Sequence, residues 1–228
     1  FYTYNQVQQL YNSRGQKTVD GDIKQLSPNE AADYRLPRDQ QYFRFTPPPT
    51  MGQNLRFFFS YQLDWMYMRY FFWNFAGRQN DVQGFGEPMY GNWISGIKAL
   101  DDARIPGLQD QPDFLKNNKG NNKYYLIPLI LGLIGLSYQL VKDRSQWFVV
   151  ALLFFFTGIA IVLYLNQTPF QPRERDYAYA GSFYAYAIWI GFAVLAFYDL
   201  LSNLLKKGKA VVSASLATLI CLPAPIIL

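Results

Sequence analysis

Four long apolar runs in the second half of the chain constrain its fold more than any other feature. They cover residues 124–141, 146–165, 183–205 and 210–228. A helix needs roughly 20 apolar residues to cross the hydrocarbon core of a bilayer, and each run is close to that length. A helix also satisfies its own backbone hydrogen bonds in lipid, which an open sheet cannot do. We therefore predict an all-α polytopic membrane protein whose transmembrane region, 124–228, holds four helices.

The first half of the chain is polar, so the mean hydropathy of -0.07 averages two very different halves. Residues 1–50 carry few regular patterns and are interpreted as an external polar loop region. Ser27 and Glu30 have the spacing of a capping box, which predicts a short helix through Asp33. Three consecutive prolines, 47–49, predict an extended segment.

Residues 54–76 are rich in Phe, Tyr and Trp but also contain charges such as Arg56, Asp64 and Arg69. Charges are costly in a helix that crosses a bilayer, whereas aromatic rings suit the headgroup level. We favour an interfacial helix and leave a spanning helix open. Gly77 is expected to stop this helix, and the Gly-, Pro- and Asn-rich segment that follows it predicts a long, ordered external loop. These parts form a second region, 51–123.

Short basic loops give the predicted orientation. Residues 142–145 and 206–209 join successive spans and must lie on one side, and the second of these loops is purely basic. The positive-inside rule makes that side cytoplasmic. Residues 1–123 and 166–182 then lie on the opposite, periplasm-like side.

The loop at 166–182, here called the arginine loop, separates two spans and contains four consecutive charged residues, Arg173 to Asp176. Two prolines precede these charges and tyrosines follow them. Arginine offers a planar fork of donors that matches phosphate oxygens. The candidate phosphate-binding residues are Arg173, Arg175, Asp176, Tyr177 and Tyr179. The alternative is an ion-pair network within the loop that neutralises itself and closes a helical hairpin.

A second external polar cluster follows the aromatic segment directly. It comprises Arg78, Gln79, Asn80 and Asp81. Its members could contribute to the same site, or they could simply be solvated groups at a helix terminus.

The sequence lacks the residues that several classes of protein function require. The chain has no histidine and one cysteine, Cys221, which excludes imidazole bases, histidine metal ligands and a disulfide framework. We predict no metal site and no evident cofactor, and leave a divalent metal requirement open. A net charge of +5 without a basic block or recognition motif argues against nucleic acid. The start at Phe1 and the apolar end lead us to expect an internal piece of a longer protein.

Three phrases resemble a known bacterial family. They are residues 70–81 (YFFWNFAGRQND), 91–96 (GNWISG) and 166–185 (NQTPFQPRERDYAYAGSFYA). They look like the protein O-mannosyltransferase-like membrane family, formerly a domain of unknown function, of the GT-C glycosyltransferase class. The resemblance covers roughly residues 55–228.

The resemblance implies an inner-membrane enzyme that takes a sugar from a polyprenyl-phosphate carrier and transfers it to a protein or glycan acceptor outside the cytoplasm. Membrane lipids and the lipid-linked donor would be its partners. GT-C enzymes usually hold their catalytic acid in the first external loop, which we expect this chain to lack, so its catalytic residues stay unassigned. Two other interpretations remain: a scaffold subunit with partners in an envelope complex, and a transporter or flippase of an anionic lipid-linked substrate.

Overall fold

The structure is a computed structural model that describes residues 2–13, 22–33, 35–36, 40–46, 49–168, 173–205 and 209–227. It divides into two compact units, Phe1–Arg56 and Phe57–Leu228. Helices make up most of the described residues, and three of them are long and apolar enough to cross a membrane. The chain is therefore a helical protein of the kind expected in a membrane.

The first unit contains a small antiparallel sheet rather than the irregular loop predicted for residues 1–50. Its strands are β1 (Tyr2–Thr3), β2 (Asp22–Gln25) and β3 (Tyr42–Thr46), in the order β1-β3-β2. In the register, Tyr2 lies opposite Phe43 and Asp22 lies opposite Thr46. Helix α1 (Tyr4–Ser13) follows β1 directly.

The predicted capping box is confirmed. Helix α2 spans Pro28–Asp33. The Ser27 amide donates to the Glu30 carboxylate at 2.9 Å, and the Glu30 amide donates to the Ser27 hydroxyl at 3.3 Å. Two donors that the first helical turn would leave unpaired are thereby satisfied. The predicted extended proline segment lies largely outside the described residues, which omit Pro47 and Pro48.

The aromatic segment is helical, as predicted, and begins three residues earlier. Helix α3 (Met51–Phe57) is followed by a π-helix (Phe58–Met68) and by α4 (Arg69–Phe75). In the wider π-helix the amide of Arg69 bonds to the carbonyl of Asp64, five residues back. We call residues 58–75 the aromatic helix. It is not an isolated surface element, because Tyr67 and Tyr70 are almost fully buried.

The aromatic helix ends at the predicted position. Gly77 has a φ of 146°, and a Cβ there would lie 2.8 Å from the carbonyl oxygen of Ile94. Strand β4 (Gly77–Arg78) then pairs with β5 (Asn122–Lys123), which closes the intervening segment into an ordered loop. That loop contains two short α-helices and a 3₁₀ turn: α5 (Lys98–Arg104), Leu108–Asp110 and α6 (Asp113–Lys116).

The apolar half is a set of packed helices. The chain turns at Asp143, whose side chain caps the helix that follows it by accepting from the amides of Ser145 and Gln146. The helices are α7 (Ile127–Lys142), α8 (Arg144–Thr157), α9 (Ile159–Leu165), α10 (Ala180–Leu204), α11 (Ala210–Cys221) and α12 (Pro223–Ile227). The candidate spans are Arg144–Leu165, Asp176–Leu204 and Ala210–Ile227. The basic loop predicted at 206–209 lies largely outside the described residues.

The first predicted span, 124–141, is shorter than expected as a helix. Tyr125 and Leu126 have φ values of 53° and 60°, so α7 begins only at Ile127 and contains 16 residues. At 1.5 Å per residue it is about 24 Å long, against a hydrocarbon core of about 30 Å.

Small residues let α7 and α10 pack closely. A Cβ added at Gly135 would collide with the backbone of Trp189, and one added at Gly132 would collide with the ring of Tyr186. Polar contacts reinforce this packing, since the Trp189 indole donates to the side-chain oxygen of Gln139 at 2.8 Å. Glycines and buried polar side chains of this kind are typical of helix contacts within membranes.

The one acidic residue near the end of a predicted span, Asp199, is paired. It lies 2.7 Å from the Lys142 ammonium and accepts from the Tyr138 hydroxyl at 2.9 Å. Cys221 is buried, as predicted for a small apolar side chain.

Candidate functional site at the arginine loop

A buried ion pair joins the arginine loop to the aromatic helix. The Arg69 guanidinium donates to the two Glu174 carboxylate oxygens at 2.8 and 3.3 Å. The Arg69 side chain is 3% exposed and that of Glu174 17%. A bidentate pair of this kind fixes both position and orientation.

Further contacts make this ion pair a junction of three chain segments. Arg69 also donates to the carbonyls of Gly91 at 2.9 Å and Trp65 at 3.0 Å. The Tyr70 hydroxyl donates to Glu174 and accepts from the amide of Arg175 at 3.2 Å. Burial raises the pKa of Tyr70, so it stays protonated and keeps its role as a donor.

Aromatic rings surround the Arg69 guanidinium and exclude water from it. Its carbon lies 4.2 Å from the ring centre of Trp65 and 4.5 Å from those of Tyr70 and Trp73. Cation–π attraction therefore adds to the ion pair. The charge of Arg69, which argued against a helix crossing the bilayer, is therefore buried and is neutralised by Glu174.

The ion pair changes the interpretation of the charges in the arginine loop. Glu174 pairs with Arg69, and in the described part of the chain no ion pair joins Arg173 or Arg175 to Glu174 or Asp176. The self-contained network considered as an alternative is therefore wrong for these residues. Pro169 and Pro172, the two prolines that precede these charges, lie outside the described residues.

The two loop arginines have different surroundings. Arg173 is exposed, and its guanidinium donates to the Tyr177 hydroxyl at 3.3 Å and lies 5.7 Å from the Tyr177 ring centre. Arg175 is half-buried, and its Nε is enclosed without a hydrogen-bond partner among the described residues.

Two more polar side chains, towards the two ends of the arginine loop, are buried without partners among the described residues. Tyr179 has no exposed surface and Gln167 is 5% exposed, and neither the Tyr179 hydroxyl nor the Gln167 side-chain amide has a hydrogen-bond partner among the described residues. Leaving such groups unpaired costs roughly 1–3 kcal/mol each, and they are rare enough to need an explanation. We call Gln167, Arg175 and Tyr179 the unpartnered set.

The aromatic helix holds the unpartnered set in place. The Gln62 side chain donates to the Gln167 carbonyl at 3.1 Å and to the Asn166 side chain at 2.8 Å. The rings of Tyr67 and Tyr179 lie 5.3 Å apart, edge to face. One face of the aromatic helix therefore supports both ends of the arginine loop.

The second polar cluster divides into two parts. Arg78 lies with its guanidinium 3.9 Å from the Trp73 ring centre and donates to the Asn80 carbonyl at 3.0 Å. Burial lowers the pKa of Arg78, and Asp176, Asp81 and Glu174 oppose that shift, which places Arg78 within electrostatic reach of the arginine loop.

Gln79 and Asn80 instead organise the loop after β4. The Gln79 side-chain oxygen accepts from the backbone and side chain of Asn92, and that of Asn80 accepts from the amides of Gly91 and Val82. Both side chains are buried, whereas that of Asp81 is exposed.

Sequence reasoning missed Arg69, Tyr70, Glu174 and Gln167 as members of the site. One signal was available, since a charge within an aromatic apolar stretch requires a partner of opposite sign. Its partner lies 105 residues away, and no local spacing identifies it.

Within the described ranges, no three Cys, Asp or Glu side chains are grouped closely enough to hold a metal ion. What the site offers is cationic and neutral donors: two arginines, a tyrosine hydroxyl and an amide. Such a set binds an anion that also carries hydrogen-bonding oxygen atoms.

We compared the chain with protein-family models, curated proteins and solved structures, and none of these comparisons returned a match.

Proposed function

We propose that this chain is part of a GT-C-type glycosyltransferase of the bacterial inner membrane. It would take a sugar from a polyprenyl-phosphate carrier and transfer it to a protein or glycan acceptor on the external side. The observation that supports the proposal most directly is the unpartnered set. Its buried polar groups have no partners among the described residues, one of them belongs to Arg175, and the set lies in a loop that joins two helices long enough to cross a membrane.

The ion pair strengthens the case for anion binding. Because Glu174 is engaged by Arg69 and Tyr70, its charge does not compensate Arg173 and Arg175. Arg78 lies close enough to Asp176 for the two charges to interact. The guanidinium groups of the loop are thereby left to bind a phosphate, which a bidentate arginine matches well.

The proposed roles follow from the bond changes of the transfer. An acceptor hydroxyl oxygen attacks C1 of the sugar, the bond from C1 to the phosphate oxygen breaks, and the carrier phosphate leaves with the electron pair. Arg173 and Arg175 stabilise the charge that grows on the phosphate, and Tyr179 and Gln167 orient its oxygens. A carboxylate must accept the acceptor proton, and we assign no residue of this chain to that role.

The proposal includes a topology. Helix α7 crosses the membrane as a fourth span with the help of Tyr124–Leu126, which precede it. Residues 142–145 and 206–209 then face the cytoplasm, and residues 1–123 and 166–182 face the periplasm, as the positive-inside rule predicts.

The test compares three forms of the full-length protein in native membranes, with polyprenyl-phosphate mannose as the donor probe. Arg175→Gln combined with Tyr179→Phe should lower transfer by about 100-fold, as loss of a donor to the leaving group does in other enzymes. Arg144→Gln is the control, because Arg144 lies at the other end of a 22-residue span, about 33 Å along the helix. Equal transfer in the two variants would remove the arginine loop from the mechanism.

Native mass spectrometry of the gently extracted protein separates this proposal from its competitors. A retained polyprenyl-phosphate mass that is lost in Arg175→Gln supports the transferase. Retention of bulk phospholipid alone, together with a protein that co-purifies in a fixed ratio, would support the scaffold subunit of an envelope complex instead. In a separate transport assay, movement of the carrier across the bilayer without sugar transfer would support a flippase instead.

A further inference from the structure

A cavity in the ordered loop between β4 and β5 is separate from the arginine loop. Its volume is about 420 Å³, within the range of roughly 300–1,000 Å³ that is usual for sites of small molecules. Its walls come from α5, α6, the 3₁₀ turn, β5 and adjoining loop residues, and no described residue of the arginine loop or the aromatic helix lines it. The proposed glycosyl transfer makes no use of it.

Three lysines from three different elements line this cavity. Lys98 begins α5, Lys116 ends α6, and Lys123 lies in β5. None of the three belongs to an ion pair within the described ranges. Positive side chains that converge on a cleft from separate elements create a potential that attracts anions.

The one carboxylate of the cavity wall does not neutralise these lysines. Asp101 is 3% exposed. One of its oxygens accepts from the amide and hydroxyl of Ser95 at 2.7 and 2.9 Å, and the other accepts from the amide of Gly96 at 2.8 Å. Its charge is therefore stabilised by the loop itself, and the lining keeps a net positive charge.

Three amide side chains of the lining share one arrangement. Each donates through its nitrogen to a protein oxygen: Gln109 to Asp102 at 2.9 Å, Gln111 to Pro88 at 3.2 Å and Asn121 to Gln79 at 2.8 Å. Their amide oxygens accept no hydrogen bond from the described residues. The cavity therefore combines cationic donors with several neutral acceptors.

This combination selects a class of ligand. A bare inorganic anion would pair with the lysines but would leave the amide oxygens without donors. A sugar that carries a negative group supplies both, because its hydroxyls donate to the amide oxygens and its anionic oxygens accept from the ammonium groups. Ile94, Leu108 and Leu115 also line the cavity and offer apolar surface to the carbon face of a sugar ring.

We propose that the loop cavity, lined by Lys98, Lys116 and Lys123, is a binding site for an anionic sugar, either a free sugar or the end of a glycan. The anionic group is a phosphate or a carboxylate. The proposal does not rest on the function of the arginine loop.

The test measures binding of four probes to the whole chain in nanodiscs of zwitterionic lipid: glucose 6-phosphate, glucuronate, glucose and inorganic phosphate. Isothermal titration gives the dissociation constants. At least one of the two anionic sugars should bind about tenfold more tightly than glucose or inorganic phosphate, because it alone forms both kinds of contact. Which of the two binds more tightly identifies the anionic group.

Matched lysine variants locate the site. Lys116→Gln and Lys123→Gln should each weaken binding of the preferred sugar about tenfold, since a hydrogen bond to a charged group is lost. Lys119→Gln is the control, because Lys119 is exposed in the same loop and does not line the cavity. Arg175→Gln should leave this binding unchanged, which separates this site from the arginine loop.

Three results would overturn the proposal: no binding by either anionic sugar, neither anionic sugar binding more tightly than both glucose and inorganic phosphate, or equal losses in Lys116→Gln and Lys119→Gln. Thermal unfolding of each variant shows that the fold is intact. The lysine side chains are exposed, so their replacement should not destabilise the loop.

Discussion

Removal of the Glu174 carboxylate should destabilise the second unit strongly. Glu174→Ala leaves the Arg69 charge without its partner in a site where that side chain is 3% exposed. Breaking a buried pair in this way costs about 3–5 kcal/mol. Arg69 keeps its bonds to the Trp65 and Gly91 carbonyls, so the loss should be at the lower end, about 3 kcal/mol. For a chain of this length that corresponds to a Tm about 6–12 °C lower.

Thermal unfolding in one detergent, followed by tryptophan fluorescence, measures this effect. Trp65 and Trp73 flank the Arg69 guanidinium and report on it directly. Asp110→Ala is the control, because Asp110 is exposed and should change stability by less than about 0.5 kcal/mol.

A second substitution distinguishes an unpaired charge from lost packing. Adding Arg69→Met to Glu174→Ala removes the stranded charge, so the double variant should be more stable than Glu174→Ala alone. A Glu174→Ala protein within about 1 °C of the wild type, or a double variant less stable than the single one, would refute the account of this junction.

Three further predictions address other parts of the fold. Gly135→Ala should cost about 1–3 kcal/mol by overpacking α7 against α10, whereas Gly191→Ala, where a Cβ meets nothing within 4 Å, should be neutral or stabilising; thermal unfolding compares the two. Asp101→Asn should cost about 2 kcal/mol and speed limited proteolysis between residues 84 and 122, because an amide nitrogen cannot accept the hydrogen bonds of the carboxylate. Hydrogen bonds from Ser27 and the positive charge of Lys24 hold the pKa of the Glu30 carboxyl below its usual value. The carboxylate therefore stabilises α2 above about pH 4.5, and this stabilisation is lost as the pH falls through the lowered pKa. Hydrogen exchange in α2 should show this loss in the wild type and not in Glu30→Gln.

The features that follow from local chemistry were predictable from the sequence. The length of the apolar runs identified three helices that are long and apolar enough to cross a membrane. The Ser27–Glu30 spacing identified α2, and Gly77 marked the end of the aromatic helix. Each depends on residues within a few positions of one another.

The features that depend on distant residues were not predictable. The strands of the first unit are short, and their pairing joins residues far apart in the chain, such as Tyr2 and Phe43. The late start of α7 results from backbone angles at Tyr125 and Leu126 that their residue types do not favour.

The site combines both cases. Its arginines, Arg173 and Arg175, were identified because they are concentrated in one short loop. Arg69 was counted as one of the charges that argue against a helix crossing the bilayer. Glu174, whose negative charge makes the burial of Arg69 favourable, could not be identified as its partner without the three-dimensional structure.

The junction of Arg69 and Glu174 also imposes an order on biosynthesis. A ribosome adds about 5–20 residues per second, and Glu174 follows Arg69 by 105 residues. The arginine is therefore made about 5–20 s before its carboxylate partner. During that interval the aromatic helix must keep its guanidinium in contact with water or lipid headgroups. Only after the arginine loop has been made can the carboxylate of Glu174 neutralise this guanidinium and allow its burial.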